Sequence, residues 1–173
     1  AVAVKILKAL GISIQAYSKE IGGIGIDYNN FDMNEAFNNP FTMPDAKAAE
    51  KVSVYAAEKI NECDSVGGVI ECVIKNVMPG IGQTVFDKLD ANLAKAVMSI
   101  GAVKGFEIGD GFAAAKTDGL NNNDRFIMKD GKVAKATNHS GGVLGGMSDG
   151  SDIVFRAAVK PTPSIAATQK TVN

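Results

Sequence analysis

Residues 137–164 read TNHSGGVLGGMSDGSDIVFRAAVKPTPS. Four glycines arrive as two pairs, Gly141-Gly142 and Gly145-Gly146, among Ser140, Ser148 and Asp149. Glycine reaches φ > 0 without steric cost, so such a loop can turn tightly and bring its backbone close to an anion. A strand follows over residues 152–160, where Ile153, Phe155, Ala157 and Val159 alternate onto one face. Arg156 and Lys160 share the opposite face, about 13 Å apart at strand rise. The run closes on Lys160, Thr162 and Ser164, an ammonium and two hydroxyls separated by Pro161 and Pro163, which stiffen the turn. Together these residues describe a floor and a clamp for a phosphate.

Outward from this stretch, the apolar spacing alternates between helical and extended periods. Leu89, Leu93, Ala96-Val97 and Ile100 predict a helix over residues 87–100 that stops at Gly101, followed by a strand over 102–107. Asp130-Gly131 predicts a hairpin turn between 125–128 and 132–136. Residues 109–124, rich in glycine and asparagine, read as a loop too polar for the core. Upstream, residues 67–77 form a strand with Ile70, Cys72 and Ile74 facing one way, and Asp45 is placed to cap a helix over 46–62 whose stripe is Val52, Tyr55, Ala56 and Lys59-Ile60. Residues 12–26 are extended. Residues 1–10 end a helix with Val4, Leu7 and Leu10 on one face and Gly11 as its stop. The fold class expected is α+β, antiparallel strands packed with helices.

At 173 residues, 46% hydrophobic and 21% charged, the composition is that of a globular chain expected to form a single domain over residues 1–173. No apolar run reaches the length of a membrane span and the N-terminus lacks a cleavage pattern, so no membrane association and a cytoplasmic location are expected. Cys63 and Cys72 stand apart from any CxxC or histidine cluster and read as buried, reduced thiols, with no metal site. Residues 1–124 carry 11 Lys and Arg against 16 Asp and Glu, whereas residues 125–173 carry 7 against 3. The basic part is the glycine-paired part, and both arginines of the chain, Arg125 and Arg156, lie in it. That suits a small multiply charged anion. Nucleic acid is excluded as a partner, because Phe126 and Phe155 are the only aromatics there and no long basic stripe exists.

Several polar residues have ordinary alternatives. Gly101-Ala102 has a sufficient role as a helix stop. Asp110, Asp118 and the run from Asn121 to Asp124 lack the spacing of a calcium loop and read as loop caps. His139 is the only histidine and reads as a spacer or a hydrogen-bonding residue beside the ligand. Arg125 and Arg156 leave two readings open, a bidentate grip on phosphate or carboxylate, or pairing with the neighbouring Asp124 and Asp152.

The stretches TNHSGGVLGGMSDG and IVFRAAVKPTPSI, with PGIGQTVFDKLDANLAKAVMSIGAVKGFEIGDGF at residues 79–112 and the tail ATQKTV, closely resemble the chorismate synthase family in the same order. The resemblance covers nearly all of the chain from Val66 onward and is compatible with residues 1–64. It implies a β-α-β sandwich and a phospholyase that converts 5-enolpyruvylshikimate 3-phosphate to chorismate and phosphate by a 1,4-anti elimination. It also implies reduced flavin mononucleotide (FMN) as cofactor, NADPH among the associated nucleotides, and a homotetramer. Lys160-Pro161-Thr162-Pro163-Ser164 resembles the family's flavin-binding Lys-Pro-Thr-x-Ser motif. Gly145 and the Gly101-Ala102 dipeptide match further flavin positions, although the first of that pair is often asparagine in the family. His139 falls where the family commonly has asparagine or cysteine. The family's Gly-Glu-Ser-His-Gly motif, its second histidine, its serine- and arginine-rich flavin loop and its Arg-x-Asp-Pro motif have no counterpart here. The chain is therefore expected to be the middle part of a longer enzyme, to hold no catalytic residue, and to be inactive alone. The competing expectation is a structural, oligomerisation or phosphate-binding module.

Overall fold

The computed structural model describes residues 2–170 and Val172. Ala1 of the expected first helix and Thr171 of the ATQKTV tail lie outside the described residues. Helix α1 (Val2–Ala9) stops at Gly11, whose φ of 77° closes the last turn through bonds from Gly11 N to Lys8 O and from Ile12 N to Leu7 O. Its expected apolar stripe is not packed inward. No residue of α1 is buried, and Val2, Val4, Ile6 and Leu10 are exposed.

Strand β1 (Ser13–Ile21) turns through Gly22-Gly23 into β2 (Ile24–Gly25), pairing Ile21 with Ile24. A short α2 (Glu35–Asn38) precedes the sixteen-residue α3 (Ala46–Asn61). Asp45 caps α3 as its sequence predicts, accepting from the backbone of Lys47 and Ala48, while its second oxygen accepts from Asp27 N. Of the expected α3 stripe, Val52 is buried, Tyr55, Ala56 and Lys59 are half-buried and Ile60 is exposed, and the fully buried side chains of the helix are Ala48, Ala49 and Val52. Those side chains and Met43 form one core with Ile21, Ile24, Ile26 and Phe41.

Strand β3 (Gly68–Lys75) is followed by α4 (Leu89–Met98) and β4 (Val103–Ile108), then by a 3₁₀ turn at Gly111–Lys116 and a short α5 (Gly119–Asn122). Strands β5 (Phe126–Lys129) and β6 (Lys132–Lys135) form the expected hairpin, with Asp130 and Gly131 both at positive φ. Next come β7 (Val143–Leu144), β8 (Met147–Ser148) and β9 (Ile153–Val159). A second core gathers Cys72, Val143, Ile153 and Phe155 against Leu89, Leu93 and Val97 of α4 and Phe106 and Ile108 of β4. The alternation read in β9 is the one observed, with Ile153, Phe155 and Ala157 buried.

Five strands form one sheet in the order β2-β1-β3-β9-β4. Contacts at the strand ends show antiparallel neighbours throughout. Gly22 N donates to Gly67 O and Asn76 Nδ2 to Gly11 O across β1 and β3. Lys160 N donates to Ala102 O and Gly109 N to Val154 O across β9 and β4. Across β3 and β9, Gly67 lies against Val159 O while Lys75 reaches Asp152. By their contacts the described residues form two compact units, one of residues up to 16, 71–100 and 105–157, the other of 17–70, 101–104 and 158 onward. The fold is α+β with antiparallel sheets, as expected.

Candidate functional site

The end of β9 and the start of β4 bring part of the expected site together. Lys160 N bonds Ala102 O at 2.9 Å, so the Gly101-Ala102 dipeptide lies beside the Lys160 backbone. Ala102 stands at φ 69°, a left-handed conformation that a side chain disfavours, and an added Cβ on Gly101 would meet nothing within 4 Å. Beyond Lys160, the Ser65 hydroxyl donates to Thr162 O at 2.7 Å, and Ile165 N and Gln169 Nε2 donate to Pro163 O. Proline rings and these bonds fix the backbone. Among the described residues, the Lys160 ammonium has no carboxylate within ion-pair distance, and the Thr162 and Ser164 hydroxyls make no side-chain hydrogen bond. All five residues from Lys160 to Ser164 are exposed. A donor set of one ammonium and two hydroxyls on a fixed backbone fits the phosphate of a nucleotide.

Gly145 belongs to the other unit. Val143 pairs with Ser148 and Leu144 with Met147, leaving Gly145-Gly146 as a two-residue turn at φ 58° and 88°. The two glycines differ in what surrounds them. A Cβ on Gly146 would strike Gln83 O and the Lys88 side chain, whereas at Gly145 nothing lies within 4 Å. Gly141 and Gly142 are likewise packed, against the backbone of Gly109 and Asp152. Three of the four paired glycines are therefore explained by packing within the protein, and the space for an approaching ligand is at Gly145. A cleft of about 490 Å³ in the same unit, lined among others by Met78, Pro79, Phe126, Lys129 and Lys135, contains none of the expected cofactor residues.

The charged groups around the glycine loop pair with residues distant in sequence rather than with their immediate neighbours. Asp124, expected to cap a loop, is buried and does not pair with Arg125. Its carboxylate accepts from Thr137 Oγ1, His139 N, Ser140 N and Ser140 Oγ, and from Lys135 Nζ at 3.1 Å. Burial pushes the Asp124 carboxyl up, but the hydroxyl of Thr137 and the backbone N–H groups of Ser140 and His139 outweigh it and hold it well below the usual range. Lys135 also reaches Asp149 at 2.6 Å, with burial offset there by the Lys135 and Ser151 bonds so that the Asp149 pKa is lowered. Arg156 pairs with Glu71 and Glu107 and donates to Gly109 O, rather than pairing with Asp152, which meets Lys75. Those partners commit its guanidinium within the protein.

His139 Nδ1 lies 2.7 Å from Asp110 Oδ2, so the hydrogen-bonding role read for it is met by a residue of the loop. Cys72 is buried, and desolvation pushes its thiol up to about 11. Cys63 is exposed, against expectation, because it occupies the left-handed position just past α3. Among the described residues no group of His, Cys, Asp and Glu is arranged to hold a metal ion, and no helix is long and apolar enough to cross a membrane.

The α+β architecture with its antiparallel sheet is shared with known proteins. The family model for chorismate synthase matches residues 1–173, and the chain belongs to that family. It is 69% identical over 173 residues to the chorismate synthase of Lachnospira eligens, covering 100% of this chain and 47% of that protein. Identity is 48% over 175 residues to the chorismate synthase of Archaeoglobus fulgidus, covering 49% of that protein. A crystal structure of chorismate synthase superposes with a TM-score of 0.85 at 31% identity over 92% of this chain and 53% of its own. The chain spans about half the length of the curated relatives it matches.

Proposed function

We propose that the protein carrying this sequence is a lyase, a chorismate synthase that eliminates phosphate from 5-enolpyruvylshikimate 3-phosphate in the 1,4-anti sense to give chorismate. Named relatives with that activity support the reading. The observation that carries it is the Lys160 ammonium, exposed and without a carboxylate partner among the described residues, on a segment whose backbone is fixed by Ser65 and Ala102. Reduced FMN, when bound, would supply transient electron density that lets the phosphate leave, with no net redox change. Lys160, Thr162 and Ser164 would hold the anionic end of that cofactor, and Pro161 and Pro163 would keep their backbone in place. The open face of Gly145 would admit the ligand against main chain. Gly101 and Ala102 would offer backbone contacts only, since neither carries a polar side chain. No residue of this chain is assigned a proton-transfer role, and none is assigned to a metal.

A cytoplasmic homotetramer, with NADPH as the source of reducing equivalents, belongs to the same proposal. The second reading, a structural or oligomerisation module, is favoured by α1, which buries none of its residues. The test is to supply 5-enolpyruvylshikimate 3-phosphate and chemically reduced FMN and to follow chorismate and phosphate together. The full-length protein is expected to release them in equal amounts, and the 173 residues alone to release neither. Phosphate release without chorismate, or no reaction by the full-length protein, would contradict the enzymatic reading.

A further inference from the structure

We propose that Lys135 is a positioning residue for the Gly145-Gly146 turn, its single buried ammonium tying together the two limbs of the glycine loop. The Lys135 side chain is 3% exposed. Its Nζ donates to Ser140 Oγ at 2.7 Å and Asn138 Oδ1 at 3.1 Å on the incoming limb, and to Asp149 Oδ2 at 2.6 Å on the outgoing limb. Asp124, also on Nζ, accepts from Thr137, His139 and Ser140, while Asn138 Oδ1 accepts from Gly142 N and Asn138 Nδ2 donates to Asp152 O. Asp149 N closes the loop on Gly142 O. Everything between these limbs is β7, the turn and β8. Although Lys135 borders the cleft beside the hairpin, its ammonium is engaged by four acceptors of the protein, so its effect is on where the turn sits. Without it Asp149 on the outgoing limb and Asp124, which anchors the incoming limb through His139 and Ser140, would keep only neutral donors for two buried charges, and the limbs would separate or take in water. The consequence for function rests on the cofactor reading of Gly145; the positioning itself rests on the side-chain geometry.

The test uses the full chain with Lys135→Met, Asp149→Asn and a control, Phe106→Leu, which disturbs the ring stacked 5.4 Å from Phe155 in the same core. Amide exchange at residues 142–147, relative to that of β9, and the FMN dissociation constant are measured alongside thermal unfolding. In Lys135→Met the loop amides are expected to exchange about tenfold faster relative to β9, and FMN to bind about tenfold more weakly. Asp149→Asn should move both in the same direction by less, and it decides the matter if the methionine variant does not fold. Phe106→Leu should lower the unfolding temperature and leave both ratios near wild type. Unchanged loop exchange in the two loop variants, unchanged FMN affinity beside faster exchange, or an equal change in the control would overturn the proposal. A wild-type chain that binds no FMN would sink the cofactor reading, while the exchange ratio would still decide whether Lys135 sets the turn.

Discussion

Arg156 Nη1 lies 3.4 Å from Glu71 Oε2, an ion pair between adjacent strands in which the glutamate side chain is 4% exposed. The same guanidinium reaches Glu107 Oε2 at 3.2 Å on its other side and Gly109 O. One planar head with several donors thus joins three strands, a geometry that lysine cannot reproduce. Arg156→Ala should destabilise by about 3 kcal/mol, since it removes a partner from a buried carboxylate. Arg156→Lys should recover only part of that. Urea unfolding of the two variants checks this, and a loss below about 1 kcal/mol in the alanine variant would mean the pair is effectively solvated.

Asp45, Asp124 and Asp149 are each raised by burial and lowered further by the hydrogen bonds they accept, and the net direction is down. Folded values below unfolded ones mean that these groups stabilise the fold above the ordinary carboxylate range. That contribution is lost as pH falls through the depressed folded values. Stability should therefore hold between about pH 7 and 5 and decline below about pH 4. Asp124→Asn should be less stable at neutral pH and show a shallower acid decline. Denaturant unfolding across that range is the measurement, and an unchanged slope in the variant would count against the assignment.

Cys63 occupies φ 56° where helices commonly place glycine. Asp64 N bonds Lys59 O and Cys63 N bonds Ile60 O, the paired closure of a glycine-type stop. Cys63→Gly should raise stability by about 0.5–1 kcal/mol, the left-handed strain relieved less the entropy glycine adds to the unfolded chain. A lower melting temperature in this variant would show that the thiol makes a stabilising contact.

The two thiols should differ in reactivity. Cys63 is exposed, whereas Cys72 is buried with its thiol pushed up to about 11. At pH 8 a disulfide reagent should titrate one thiol quickly and the second only on unfolding. Two rapid equivalents without denaturant would contradict the buried placement of Cys72.

Local signals made much of this fold readable. Asp45 before an apolar-periodic segment, Asp130-Gly131 between extended runs and Gly11 after a short helix each act within a few residues, so their outcomes followed from the chain itself. The Lys135 cluster left no such trace. Its partners sit three to fourteen positions away, ahead of the hairpin that carries it and on two loop limbs, with no shared period, and only folding brings Asp124 and Asp149 onto one ammonium. The same holds for Arg156, whose partners Glu71 and Glu107 come from neighbouring strands rather than from Asp152 nearby in sequence. At the candidate site, the exposed Lys-Pro-Thr-Pro-Ser end was legible because prolines and polar residues rarely enter a core. Which of four paired glycines has open space beside it was not, because the neighbours of Gly146, Gly142 and Gly141 come from Gln83, Asp152 and Gly109. Apolar spacing in α1 predicted a packed stripe, but a helical period reports amphipathicity and not what covers it.

If the Lys160 segment holds the anionic end of a flavin nucleotide, as proposed, FMN titration of Lys160→Ala should reveal it. Lys95→Ala, an exposed lysine on α4, serves as control. A charge-assisted hydrogen bond contributes about 1.5–3 kcal/mol, so Lys160→Ala should weaken FMN binding roughly ten- to a hundredfold while unfolding without ligand stays near wild type. Lys95→Ala should bind as wild type does. Unchanged affinity in Lys160→Ala, or an equal loss in Lys95→Ala, would mean that Lys160 does not hold the flavin nucleotide.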